Sequence, residues 1–189
     1  MSRKLIYPLW IAVVGLGVSW LTQAGEKTGD GARDLQQDKK FPAEIMYCHD
    51  GDTCHVIADN GMWFNVRLAG IDAPEVGRYS KKKSEGQPLG EDSRDALVNF
   101  VVKQKNILLR QVDLDPYNRP IVEIYLGDDC VNLKMLELGM AERYQGKTKR
   151  IDQSKYNEAE LKAKSSKRGI WGLKTYTSPK SWRREGQSP

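Results

Sequence analysis

From residue 43 onward the apolar positions fall into short runs divided by turn-forming residues. AEIMYC at 43–48 and CHVIAD at 54–59 have the length and side-chain character of strands, and His-Asp-Gly-Asp-Thr between them has the composition of a turn. Asn60-Gly61 is a hairpin signal leading into WFNVRLAGI, in which Phe64, Val66 and Leu68 alternate with Trp63, Asn65 and Arg67. If Val66 and Leu68 face a core, Arg67 faces the other way. After a polar loop, SRDALVNFVVKQK places Ala96, Leu97, Phe100 and Val101 on one helical stripe. ILLRQVDL and IVEIYLG are two more strand runs around the turn Asp-Pro-Tyr-Asn-Arg-Pro. VNLKMLELG reads as a short helix stopped by Gly139, and a last helix covers about 152–168 with Tyr156, Ala159, Ala163 and Ile170 near one face; Leu161 departs from it.

Five strands interrupted by one helix and followed by two more predict an α+β fold that is mainly β. A five-stranded Greek-key barrel of OB type with about three packed helices fits that order. The chain of 189 residues suits one domain with tails. Residues 1–25 carry Arg3 and Lys4 ahead of an uncharged apolar stretch, the pattern of a cleaved signal peptide or an uncleaved membrane anchor. The charged, Gly-containing tract at 26–42 reads as a flexible linker, the domain is expected at 43–172, and the tail 173–189 is expected to be disordered. The protein is therefore expected to be exported: secreted or periplasmic, or tethered to the membrane through residues 5–25.

Charge adds a lean towards a polyanionic partner. Lys and Arg outnumber Asp and Glu 30 to 25, for a net charge of +5. Lys81, Lys82, Lys83, Lys147, Lys149 and Arg150 could contact a phosphate backbone, although such loop charges are more often simply solvated. Of the three cysteines, Cys48 and Cys54 flank the acidic turn symmetrically and would be cross-strand neighbours if strands run in and out of it. They are either a disulfide or two small buried residues, and a zinc site with His49 and His55 matches no standard spacing.

The candidate chemistry lies at strand ends. Asp52 and Asp72 sit with Glu75 in the turns D-G-D-T and D-A-P-E, where hard oxygen ligands suit Ca²⁺ or Mg²⁺. Arg67 and Arg119 offer planar forks that hold a phosphate through two bonds each. A cation, a carboxylate free to activate water and two guanidinium groups constitute a kit for phosphodiester hydrolysis, provided the five residues converge. Taken singly, each is more often a turn-capping aspartate or a surface ion pair.

DGDT (50–53), VRLAGIDAPE (66–75), DPYNRPIVEIY (115–125), VNLKMLELGMA (131–141) and KAKSSKRGIWG (162–172) occur in the order and approximate spacing of the staphylococcal-nuclease-like, or thermonuclease, family, which this chain resembles over about 43–172. The resemblance implies an OB-fold barrel with three helices and a Ca²⁺-dependent endonuclease acting on DNA and RNA; the protein is expected to be a monomer. It further implies that Asp52 and Asp72 bind Ca²⁺ by side chains, with the backbone carbonyl of Ala73 beside them and Asp50 behind. Glu75 would orient or deprotonate the attacking water, Arg67 and Arg119 would clamp the phosphate, and Tyr117 would hydrogen-bond a terminal phosphate. Two positions depart from the family pattern: Pro116 stands where a lysine precedes the tyrosine, and AERYQGKTKR offers Tyr144 alone for packing on a base. The alternatives are a non-catalytic OB-fold nucleic-acid-binding domain and a Ca²⁺-stabilised surface interaction domain; the second leaves the two arginines without a task.

Overall fold

The structure, a computed structural model, describes residues 39–77 and 85–185. The export segment, most of the linker, and Lys81, Lys82 and Lys83 lie outside the described residues. Among the described residues no helix is long and apolar enough to cross a membrane.

Five strands make a closed barrel: β1 (Lys40–Cys48), β2 (Thr53–Ala58), β3 (Trp63–Leu68), β5 (Ile107–Leu114) and β6 (Pro120–Leu126). β1 pairs antiparallel with β2 on one side and β5 on the other, β2 continues to β3, and β5 to β6. The ring closes where β3 and β6 run parallel, Arg67 opposite Ile121 and Leu68 opposite Val122. This is the OB-type barrel expected from the alternating pattern, and closure leaves no open edge between its first and last strands. Val56, Val66, Leu68, Leu109, Val122 and Ile124 fill the interior and are fully buried. Two short strands, β4 (Ile71–Asp72) and β8 (Glu142–Arg143), pair beside the barrel, and β7 (Asp129–Cys130) extends the sheet from β6.

An irregularity in β1 matters for its outer face. Ile45 pairs with Val56 but Tyr47 pairs with His55, so Met46 is an extra residue. Strict alternation would send Tyr47 inward with Ile45; the bulge turns it to the outside and returns Cys48 to the core. Cys48 and Cys54 face one another across the turn and are joined in a disulfide, so neither is a thiolate that could hold zinc.

Helix α1 (Gly90–Val101) covers one end of the barrel with Leu97 and Val101 fully buried and Ala96 and Phe100 packed against the core. Helix α2 (Val131–Glu137) is bolted to the barrel by Asn132, whose side chain accepts from the Ile124 amide and donates to the carbonyls of Ala69 and Val122. Those bonds satisfy backbone groups at the β3–β6 seam. Helix α3 (Gln153–Ser165), capped by Asp152, buries Tyr156, Ala159 and Ala163 and leaves Leu161 exposed.

The ends of the domain differ from the sequence expectation. β1 begins at Lys40, inside the segment read as linker, because its first residues pair with β5. The segment expected to be disordered from 173 carries a fourth helix, α4 (Pro179–Glu185), following a 3₁₀ turn at Gly169–Gly172. The physical reason is anchorage. Trp182 lines a small hollow with Pro88, Leu173 and Tyr176, the Tyr176 hydroxyl donates to Glu142 at 2.8 Å, and Trp171 packs edge-on against Tyr176.

Candidate active site

The turn between β1 and β2 is made by local chemistry. The Asp50 carboxylate accepts from the Asp52 amide at 3.0 Å, an Asx turn, and the His49 amide donates to the Thr53 carbonyl at 2.8 Å. Gly51 is needed because the turn lies against α1: a Cβ there would collide with the Ser93 hydroxyl and stand 2.8 Å from the Ala73 Cβ. The turn is thereby pressed onto the D-A-P-E segment, and the Ala73 amide donates to Asp52 Oδ2 at 3.1 Å. Gly90 plays the matching part below Glu75, since a Cβ at Gly90 would run into the Glu75 carbonyl. Gln87 also holds that segment, accepting from the Glu75 amide while its own amide donates to the Thr177 carbonyl.

Asp52 and Asp72 are each 2 % exposed. Arg67, projecting outward from β3 as its alternation requires, bridges them: Nη1 donates to Asp52 at 2.9 Å and Nη2 to Asp72 at 2.8 Å. Burial alone would lower the Arg67 pKa, but the charges of Asp52 and Asp72 outweigh it and hold the guanidinium firmly protonated. The Asp50 carboxyl is pushed up to about 8, by burial first and then by the charge of Asp52.

A second guanidinium enters from a distant part of the chain. Arg183 on α4 grips Asp72 through both nitrogens, at 3.0 and 2.8 Å, and reaches Glu75 at 2.7 Å. Burial opposes its charge, but the hydrogen bonds to Asp72 and Glu75 prevail, raising its pKa. Sequence reasoning missed this residue, although a signal existed. Ser178-Pro179 is a helix start, with the Ser178 hydroxyl accepting from the Ser181 amide and Pro179 in the first helical position, and Trp182 supplies an apolar anchor.

The structure therefore brings together Asp50, Asp52, Arg67, Asp72, Ala73 and Glu75. Arg119 is held apart from them: its Nε pairs with Asp115 at 2.6 Å, and Asp115 also accepts the amides of Tyr117 and Arg119. Burial pulls the Asp115 pKa up, but the bonds from Arg119 and Tyr117 bring it below the usual carboxylate range. Arg119 nevertheless faces the same cleft of about 580 Å³ as Asp50, Arg67, Glu75, Tyr117 and Arg183. Tyr117 is 82 % exposed, its ring 5.9 Å from the Arg119 guanidinium carbon. Tyr144, whose amide donates to the Gly70 carbonyl, also lines that cleft.

Whether these residues suit a divalent cation follows from their chemistry. With the Asp50 carboxyl protonated, the three carboxylates Asp52, Asp72 and Glu75 face the two guanidinium groups of Arg67 and Arg183, which still leaves a negative surplus, and all the donors are hard oxygens, as Ca²⁺ and Mg²⁺ prefer. Among the described residues no three His, Cys, Asp or Glu side chains converge as a ready-made cage. The donor set fits an ion held by two carboxylates, with a backbone carbonyl, water and substrate oxygens completing its shell. Arg183 lies on the Asp72 oxygens such an ion would use.

Comparison with known proteins agrees with the geometry. The chain is 29% identical over 147 residues to a Haemophilus influenzae protein named "Uncharacterized endonuclease", covering 78% of this chain and 75% of that one. It is 30% identical over 141 residues to the "Probable endonuclease LCL3" of Phaeosphaeria nodorum, covering 68% of this chain and 46% of the relative. A "Probable staphylococcal-like nuclease CAN3" of Oryza sativa subsp. japonica is 30% identical over 142 residues, which are 75% of this chain and 33% of the rice protein. The chain thus spans three quarters of the bacterial relative but less than half of these two eukaryotic ones. The model of the family described as "Staphylococcal nuclease homologue" matches residues 65–172, which carry Arg67, Asp72, Glu75 and Arg119, and the chain belongs to that family.

Proposed function

We propose that this protein is a Ca²⁺-dependent endonuclease that hydrolyses phosphodiester bonds of DNA and RNA. Its family is one of phosphodiester-hydrolysing nucleases. The observation that carries the fuller reading is that Asp52 and Asp72 are gathered behind Arg67, which with Glu75 lines a cleft that Arg119 also faces. Asp52 and Asp72, with the Ala73 carbonyl, would hold the cation, and Asp50 keeps the Asp52 turn in shape. When bound, the cation supplies charge to stabilise the pentacoordinate phosphorus.

The remaining chemistry belongs to the side chains. Arg67 is already oriented by two carboxylates and presents its outer edge to the cleft, so it meets the phosphate without first being ordered. Arg119 is steered by Asp115 in the same manner, and Tyr117 beside it offers a hydroxyl to a terminal phosphate. Glu75 orients a water and accepts its proton as the water oxygen bonds to phosphorus; the phosphorus–oxygen ester bond breaks on the opposite side. Arg183 holds the Glu75 carboxylate in position.

Export is part of the proposal. The Cys48–Cys54 disulfide supports an oxidising compartment, consistent with residues 1–25 as a signal or an anchor. The test is cleavage of single-stranded DNA and RNA with and without EGTA. The proposal expects cleavage that EGTA abolishes and added Ca²⁺ restores. Binding without cleavage would favour the binding module, and neither activity would favour a Ca²⁺-stabilised interaction domain.

A further inference from the structure

The outer face of β1–β2–β3 carries a row of rings that the proposed chemistry does not use. Tyr47 stacks on His55 with ring centres 5.1 Å apart and planes 15° from parallel, and His55 meets Trp63 at 5.4 Å. His49 closes edge-on against Tyr47 at 5.0 Å. Tyr47 is 47 % exposed and Trp63 59 %, so both keep much of their surface for a visitor. His55 is held in plane by its pair with Asn65 across the strands, Nδ1 to Oδ1 at 2.8 Å.

Three features connect this row to the cleft. Trp63, Asn65 and Arg67 occupy alternate positions of one strand and point to the same side, which places Trp63 about 13 Å along β3 from the phosphate-clamping arginine. A second hollow of about 460 Å³ shares residues with both: His49 and Asn65, which touch Tyr47 and His55 of the row, and Asp50, Glu75 and Arg119, which also line the cleft. The bulge at Met46 is the third: it alone turns Tyr47 outward to join the row.

We propose that Tyr47, His55 and Trp63 form a stacking platform for the unpaired bases of a single-stranded nucleic acid whose backbone runs from the cleft through the second hollow. The inference rests on the nuclease reading and deepens it, since it names single strands long enough to span both regions as the preferred substrate. Ring faces suit this occupant because every base has a π-face, so stacking adds affinity without demanding sequence. A duplex hides those faces and gains nothing from the platform.

The rival is a structural role, because cross-strand aromatic pairs also stabilise sheets. The experiment uses the full chain and its Tyr47→Ala and Trp63→Ala variants. Cleavage in Ca²⁺ is followed on thymidine oligomers of about 3 and about 12 nucleotides, lengths chosen to fall below and within the range one OB-type barrel can bind. Polarisation in EDTA measures binding of the same oligomers, and thermal melting is recorded throughout. The expected result is at least about a fivefold rise in KM and in Kd for the longer oligomer, with kcat, the shorter oligomer and a duplex of equal length unaffected. Trp63→Phe should restore most of the loss. Should Trp63→Ala not fold, Trp63→Leu keeps the apolar bulk without the ring face and serves the same comparison. Equal effects on both lengths, or parental KM and Kd for the longer one, would overturn the platform. A parent that neither binds nor cleaves would take the nuclease reading down as well, whereas normal cleavage with indifferent variants removes the platform alone.

Discussion

Arg67 and Arg183 grip the same carboxylate from opposite ends of the chain, and they are not equivalent. Arg67 stands on a strand hydrogen-bonded on both sides within a closed barrel, its side chain 20% exposed, and it ties Asp72 to Asp52. Arg183, its side chain 35% exposed, stands on a seven-residue helix held by the Trp182 hollow, the Tyr176–Glu142 bond and the Gln87–Thr177 bond. Similar ion-pair distances therefore conceal different backing. The barrel-backed pair can leave only if the domain opens, while the helix-backed pair can leave by local undocking.

The largest effect is expected from weakening the barrel-backed side. Arg67→Lys keeps the charge but loses the fork, and Glu75→Gln removes the proton acceptor; each should lower kcat by at least about 10²-fold in a single-strand cleavage assay. Denaturant melts should show Arg67→Ala losing roughly 3–5 kcal/mol, because Asp52 and Asp72 are then left buried without that partner. A variant at Arg67 that cleaves and melts like the parent would end the distinction between the two arginines.

Arg183→Gln should do something different in kind. The Arg183 side chain is 35% exposed and Asp72 keeps Arg67 as a partner when Arg183 is gone, so the melt should move by about 1 kcal/mol or less. Limited proteolysis should then find cleavage between 173 and 185 that the parent resists. Because in the proposed site a divalent cation would draw on the same Asp72 oxygens as Arg183, removing the arginine should tighten Ca²⁺ binding by about tenfold in calorimetry. Unchanged Ca²⁺ affinity would show that cation and guanidinium do not share the site.

Reducing the Cys48–Cys54 disulfide sharpens the comparison from the barrel side. The closed loop is short, so the cost should be about 2 kcal/mol, visible as a shift in the denaturant midpoint on adding reductant, with the resistance of 173–185 to protease unchanged.

The smallest effect concerns pH and the docked carboxy-terminal segment. Burial raises the Tyr176 pKa above its usual value of 10.0, reinforced by the nearby Glu142 carboxylate. A raised folded-state pKa gives stability fully present below about 10 and lost progressively as pH climbs above it. Proteolytic release of 173–185 should therefore rise between about pH 9 and pH 11 in the parent and stay flat in Tyr176→Phe, while the barrel's circular dichroism is unchanged.

Much of the site was legible because its chemistry is local. D-G-D-T is a turn whose residues cap themselves, D-A-P-E is marked by its proline and its two carboxylates, and the alternation around Arg67 fixes its outward direction before any partner is known. Arg183 was not legible as a site residue, since 111 residues separate it from Asp72 and no local pattern reports a contact at that distance. Its helix could have been read from Ser178, Pro179 and Trp182, but a short helix says nothing about where it docks. Cys48 and Cys54 left a bridge and two buried residues equally open, because the choice depends on how closely the strands on either side of the turn approach.

What the sequence by itself determined is the five barrel strands and the first three helices, their order, and the core-facing side of the regularly alternating β3, because these follow from periodicities of two and of 3.6 residues. The tertiary structure decided what no period records. Parallel pairing of β3 with β6 closed the barrel, one extra residue in β1 turned Tyr47 outward, and docking of α4 carried Arg183 onto Asp72 and Glu75. In each case the deciding interaction joins residues far apart in the chain or shifts a register by one. Only the folded barrel supplies the neighbours that make either outcome favourable.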